Sequence, residues 1–529
     1  MIVARRLRAP RTDGAVVAEP PLTEVAALLG HNRQHLGAVA GTVLGRSWPD
    51  VRQQARQAAL AAAEQYFLEH DEPLPPDLSA SSLILAGHQP GLFHPGVWAK
   101  NFALNQLAGT HGATPLNLIV DNDTARTNVL RMAALDGPTV RLVPFDQGRG
   151  ELPFEERRVL DENLFASFAE RAASITTAWP FRPLLPDFWA EVMRQAKRTP
   201  LLGQRFVGAR RVFERRWGCH NLEVPLSMVC RTEPFAWFVC HFLADLPRFH
   251  AVYNEAVHTY RRVNGIRSRN HPVPDLAREG DWLEVPLWAW RTDRPHRGRV
   301  MVRPAGHQLQ LRIDREAGPS IPSPAHDAAA AIGGWLGLEA QGWKVRTRAL
   351  TTTLFARLFL ADLFIHGIGG GKYDELTDEI IQRFYGFEAP GFLVLSATLW
   401  LPFQTPSVRP EDCALLAQRQ RDVHWNPQRH LPSGARADGN VQALLREKHW
   451  WIEQQPGTHA GRKERFRKLQ ELTARLRAYV TAEEKASTQQ LNECHAQARA
   501  NAVLHNREYA FCLFPQEELR TFCRRFLQK

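Results

Sequence analysis

Apolar and polar positions along this chain follow two periods, and the changes between them mark its elements. Residues 83–86, Leu-Ile-Leu-Ala, make a short unbroken apolar run bounded by turn residues, and residues 116–120 make a second. Such runs predict buried strands. Between them, Trp98, Phe102 and Leu107 recur at helical spacing over 97–107, with Lys100 in the first turn. Strand, loop, helix and strand in this order predict a parallel unit. Polar residues gather in 87–96 and 121–124, where both strands end. Open parallel sheets bind their ligands at that carboxyl edge, so function is expected there.

The same reading divides the remaining chain. Ala and Leu at helical spacing over 51–69 predict an N-terminal helical layer, residues 1–80. A core with short strands at 140–144 and 158–160 follows over 81–405, with a helical insertion at about 161–260 marked by Phe165, Phe168, Phe235, Phe238 and Phe242. Alternation over 282–290, then 299–303 and 308–313, predicts an antiparallel meander. Residues 348–364 are apolar in helical fashion and run into a glycine-rich stretch, 367–371. A helix carrying Leu376, Ile380, Ile381 and Phe384 comes next, then a strand at 392–396. From 406 to 529 the chain is charged and helical, and 462–514 hold neither Gly nor Pro. Phe466, Leu469, Leu472, Leu476 and Tyr479 fall at threes and fours, as in a coiled-coil seam. Such a segment serves equally as a homodimerisation arm or as an arm packed on its own domain.

A chain of 529 residues is long enough for two or three domains. It has no apolar run of about 18 residues, the length a membrane span needs, and no apolar segment follows its basic start, which argues against a cleaved secretion signal. Seven scattered Cys without a C-x-x-C pair argue against a zinc ribbon or a disulfide framework. The expected compartment is the cytoplasm. The net charge is +11, but Arg outnumbers Lys 57 to 9 and is spread along the whole chain. A nucleic-acid footprint would cluster on one face, so nucleic acid is not the expected partner; a small-molecule substrate is.

Three clusters could carry chemistry. In the loop 87–96, His88 and His94 flank a turn pinned by Pro90, Gly91, Pro95 and Gly96 and lead into a helix start. Free N–H groups at such a start accept an anion, and two imidazoles can donate to developing negative charge. The same two His would also suit a tight loop that only satisfies its own backbone. Next, Asp121-Asn122-Asp123 ends the second strand. Its two carboxylates could hold an amine, a hydroxyl or a divalent cation, or merely cap the next helix. Last, Gly367-Ile368-Gly369-Gly370-Gly371-Lys372 lacks the P-loop signature, which needs Gly where His366 stands and Ser or Thr where Tyr373 stands. What remains is a backbone able to approach a ligand beside His366, Lys372 and Tyr373, or else a helix end and connector.

The stretch G-H-Q-P-G-L-F-H-P-G-V-W-A-K at 87–100 resembles the G-Q-Q-P-G-L-x-x-G-P-x-Y-x-x-x-K stretch of the bacillithiol biosynthesis cysteine-adding enzymes. Arg348-Ala349-Leu350 and the run from Ile365 to Tyr373 look like their P-R-A-L and V-x-G-P-G-E-x-x-Y segments, and order and spacing agree over roughly 80–400. The pattern departs at Val120-Asp121-Asn122-Asp123-Thr124, where that family has S-E-D-H-D, at His88-Gln89 for Gln-Gln, and at Ile368-Gly369-Gly370 for Pro-Gly-Glu. The resemblance implies an α/β fold with a Rossmann-like, nucleotidyltransferase-type parallel core, helical flanks and a C-terminal long-helix or coiled-coil arm used for dimerisation. It implies a ligase-like enzyme joining an amino acid or amine donor to a small, sugar-linked metabolite.

On that reading His88, His94, Asp121 and Asp123 are the candidate catalytic residues. Gln89, Gly91, Gly96, Lys100, His366, Gly367, Gly369, Gly370, Lys372 and Tyr373 are the candidate substrate or cofactor contacts, with an adenine nucleotide as the candidate cofactor. Two alternatives stand beside it. One is a metal-dependent nucleotide-sugar or nucleotidyl transferase, holding a divalent cation on Asp121 and Asp123. The other is a non-catalytic nucleotide-binding or scaffold protein.

Overall fold

A computed structural model describes residues 7–75, 78–148, 150–405 and 408–527; the first six residues of the expected N-terminal layer lie outside them. The chain is mixed α/β. Its central sheet has six strands: β1 (Val16–Glu19), β2 (Leu83–His88), β3 (Thr114–Ile119), β4 (Leu222–Pro225), β5 (Leu363–His366) and β6 (Leu393–Ala397). Their spatial order is β1-β6-β5-β2-β3-β4. Five run parallel and β1 is antiparallel on the β6 edge. From β2 the chain moves outward through β3 to β4, then returns to the other side of β2 for β5 and β6. Strand order therefore reverses between β2 and β5, where Ile365 pairs with Ala86.

Helices flank this sheet. α1 (Trp48–Glu69) starts on Ser47, whose hydroxyl accepts from Asp50 N, and buries Trp48, Val51, Ala55, Ala59, Ala63 and Phe67. Capping plus a continuous apolar stripe is why this helix is legible in sequence. α2 (Pro95–Thr110) begins with Pro at its first position, where the missing N–H costs nothing. α3 (Ala349–Phe355) continues into a π turn, Ala356–Leu360. α4 (Ile368–Tyr373) and α5 (Glu375–Ile380) follow β5.

Two strands of this sheet, and one segment outside it, differ from the sequence expectation. β5 continues the apolar run of α3, so periodicity alone merges them. Asp362 breaks the run, with Arg52 Nη2 at 2.8 Å and Leu83 N at 3.2 Å on its carboxylate. β4 lies inside the expected helical insertion. Its Glu223 interrupts the apolar signal, yet is buried because Asn117 donates to it at 2.7 Å and Arg211 at 2.9 Å. Residues 158–160 form only an isolated bridge between Arg158 and Leu201 and no strand.

The meander expected after residue 280 is present. Trp282–Arg291, Arg294–Ala305, Gln308–Ile313 and Glu316–Pro322 pair antiparallel in succession, and Trp343–Thr347 pairs with the first of them.

The chain divides into two compact units. One contains residues up to 132, 142–401 and 507 onward; the other contains 133–141 and 402–506. Residues 402–506 of the second unit are mainly helical, with Pro410–Trp425, Gly439–Glu453, His459–Arg477 and Thr481–Leu504, while 133–141 hold the ends of two strands, Val129–Ala134 and Thr139–Pro144. In the expected seam, Leu472 and Leu476 are buried while Phe466 is 63% exposed, and the helix stops at Arg477 before restarting at Thr481. Cys413 and Cys494 are joined in a disulfide across 81 residues, which no short spacing could signal; the other described cysteines are free. Among the described residues no helix is long and apolar enough to cross a membrane.

Candidate functional site

A cavity of about 500 Å³ opens at the carboxyl ends of β2, β5 and β6, where strand order reverses. Ligands of open parallel sheets sit at such a reversal. Both loops singled out in the sequence reach this cavity. His88, Gln89, His94, Gly96, Lys100 and Asp123 line it from one side. His366, Gly367, Gly369, Gly370 and Tyr373 line it from the other. They meet because β2 and β5 are sheet neighbours, although 278 residues separate His88 from His366.

α2 aims Lys100 into this space. The side chain is buried, and Nζ donates to Gly87 O at 3.3 Å, its one hydrogen bond among the described residues. Burial lowers the ammonium to about 8, so it is still charged near neutrality. An ammonium carries three donors; Gly87 O is its one acceptor among the described residues, and the side chain lines the cavity. Close approach of α2 to the sheet is what brings Lys100 there. A Cβ on Gly96 would lie 2.0 Å from Ala397 O in β6, so only glycine fits.

The imidazoles are held neutral. His94 precedes α2 without capping it through its side chain; its Nε2 instead lies 3.4 Å from Arg507 Nη2. Burial, then Arg507 and Lys100, push it down to about 3. His88 packs edge-on to Phe93, and burial together with Lys100 pushes it to about 3 as well. Neutral imidazoles next to two cations suit hydrogen bonding to an anion and not charge pairing with it.

Arg507 and Glu508 are the residues that sequence reasoning missed. After the second unit the chain returns to the first: Phe511 N donates to Phe93 O at 2.8 Å, and the Phe511 ring lies 4.3 Å from Trp98 of α2. This return sets Arg507 and Glu508 on the cavity wall. Arg507 Nη1 is buried without a hydrogen bond, Nη2 reaches Ser396 Oγ at 3.4 Å, and Nε lies 3.3 Å from Glu508. Nothing at 507 marks a site in sequence; the aromatic cluster Tyr509-Ala510-Phe511-Cys512-Leu513-Phe514 is the one local sign of docking.

No family model and no curated protein matches this chain.

The remaining predicted residues fall elsewhere or are engaged. Asp121 is buried outside the cavity lining and accepts from Ser227 N at 2.9 Å and from Ser227 Oγ. Burial, then Glu155, raise its carboxyl to about 7. Asp123 accepts from Arg297 at 2.9 Å, from Thr124 N at 2.8 Å and from Gln89. The two carboxylates thus serve different partners. Among the described residues no group of three or more His, Cys, Asp and Glu is arranged to hold a metal ion. Gly91 packs toward Phe154, and Lys372 is exposed and off the cavity wall. Tyr373 is on the wall, its phenol raised to about 12 by burial, then by Asp374 and Asp123. The glycine-rich run does follow a strand, β5, contrary to the sequence reading, and opens a helix of six residues.

Proposed function

We propose that this chain is a ligase-like enzyme that joins an amino acid or related amine donor to a small anionic metabolite, with an adenine nucleotide as candidate cofactor, on a Rossmann-like core. The observation that carries this is Lys100: a buried ammonium with one weak acceptor, aimed into the cavity where strand order reverses. Leaving a charge so poorly paired in a protein interior is costly, and an anionic ligand removes that cost. Arg507 adds a second cation and neutral His94 adds a hydrogen-bonding ring. Reading β4-β3-β2-β5-β6 as 3-2-1-4-5 supports the Rossmann-like assignment. Divergence of Asp121 from Asp123 favours the ligase over a transferase that clamps a cation between them. The helices of the second unit would then serve as a homodimerisation arm.

A thermal-shift comparison of the full chain with ATP, ADP, phosphate, sugar nucleotides and free amino acids, with and without Mg²⁺, tests this. Ligand at 100 times its Kd adds about 2.7 kcal/mol. The expected result is an adenine-nucleotide or amino-acid response that Lys100→Met removes while its own melting is retained. A response confined to sugar nucleotides with Mg²⁺ would replace the ligase by the transferase. No response to any of them would sink the proposal.

A further inference from the structure

One pair of side chains at the cavity is not used by anion binding. His366, the last residue of β5, is 4% exposed, and its Nε2 lies 2.9 Å from Asp374 Oδ2. Asp374 is fully buried between α4 and α5. It is held firmly: Arg357 Nη1 donates to Oδ2 at 2.6 Å and Thr377 Oγ1 to Oδ1 at 2.6 Å. Arg357 comes from the π turn after α3 and also reaches Asp378 at 2.5 Å, so one guanidinium serves two carboxylates. Asp374 therefore keeps negative charge for its other partner, the imidazole. Arg357 and His366 together hold that carboxyl well below the usual carboxylate range, against its burial.

An ionised carboxylate only accepts hydrogen bonds, so in the neutral imidazole Nε2 is the nitrogen that carries the proton and Nδ1 the one with the lone pair. Nδ1 has no hydrogen-bond partner among the described residues. It faces Gly370, where an added Cβ would lie 2.7 Å away. Both His366 and Gly370 line the cavity. A side chain at 370 would cover the lone pair; glycine leaves it open. Lys100 and Tyr373 border the same space, and neither donates to this ring.

We propose that His366 is the general base of this site, with Asp374 as its positioning residue. The proposal rests on the reading that the cavity binds substrate. The proton leaves an N–H or O–H of the bound nucleophile, the bonding pair stays on that nitrogen or oxygen, and the new bond is Nδ1–H. The imidazolium so formed lies against Asp374, the orienting and charge-stabilising role of a catalytic carboxylate. The substrate class follows: one end anionic, for Lys100 and Arg507, and one end an amine or hydroxyl that must lose a proton to react.

The test needs no substrate. Diethyl pyrocarbonate acylates an imidazole through its lone-pair nitrogen, and peptide mapping of the full chain reads the label at His366. Labelling of the wild type is expected. Asp374→Asn, which removes the anchor of the Nε2–H tautomer, should slow it roughly tenfold or more. Should that variant misfold, Gly370→Ala, which covers Nδ1 from outside the ion-pair network, should abolish the label at His366 while circular dichroism is unchanged. An unlabelled wild-type His366 would overturn the proposal, because a base closed to a small electrophile is closed to substrate. Undiminished labelling of Gly370→Ala would overturn it too. Labelling is independent of the nucleotide and amino-acid screen, so either proposal can fail alone.

Discussion

At the scale of single residues, the candidate site depends on groups whose charge the fold has altered. Lys100 and the two loop histidines are desolvated together, which keeps one cation and two neutral rings where sequence shows three basic residues. Asp121 is the counter-example. It was expected at the reacting centre, and it is instead buried off the cavity lining, where it accepts from Ser227. Its carboxyl is raised to about 7, above the ordinary unfolded value near 4. A raised folded pKa contributes stability fully below the unfolded pKa and loses it as pH rises through the folded one. Asp121→Asn cannot ionise, so its stability relative to wild type should improve between pH 4 and pH 8 by on the order of a few kcal/mol. Melting curves at both pH values check this, and a pH-independent difference would contradict the assigned burial.

Elements decide how closely these residues meet. The strand–loop–helix–strand unit over 82–124 was legible because each piece has one dominant period and clear end signals. β5 was not, since its apolar residues continue those of α3 and only the pairing of Asp362 with Arg52 and Arg56 separates the two. β4 was not, since a charged residue sits in its middle and only tertiary partners make that tolerable. The most exacting contact is α2 against β6. Gly96→Ala would drive a Cβ into a backbone oxygen, which no rotamer change relieves. A loss of roughly 1–3 kcal/mol or more is expected from such overpacking, read as a lower urea midpoint with an unchanged slope. Wild-type stability in Gly96→Ala would mean that α2 stands further from the sheet.

For the whole molecule, the return of residues 507–527 to the first unit matters most. It carries Arg507 across the sequence length of the second unit to a wall built by residues 87–123 and 366–373. The disulfide acts at this scale as well. It closes a loop that contains most of the second unit, and removal of such a bond costs about 2–4 kcal/mol. Reduction with dithiothreitol should make residues 402–506 more open to limited proteolysis while leaving the ligand response of Lys100 and its neighbours intact. Equal protease resistance with and without reductant would show that the bond contributes nothing. Such bonds persist in oxidising surroundings, so the pair also bears on the compartment in which the chain works.

Local signals determined much here: the α/β class, the parallel unit at 82–124, the meander after 280, the helical character of the C-terminal region and two loops rich in glycine and polar residues. These follow from period, capping and turn residues, which act within a few positions. Tertiary structure alone decided that the two loops share one cavity, that Arg507 joins them, that Asp121 does not, and that His366 is backed by a buried carboxylate. Each of these depends on pairing between segments far apart in the chain, where neither periodicity nor local spacing carries information.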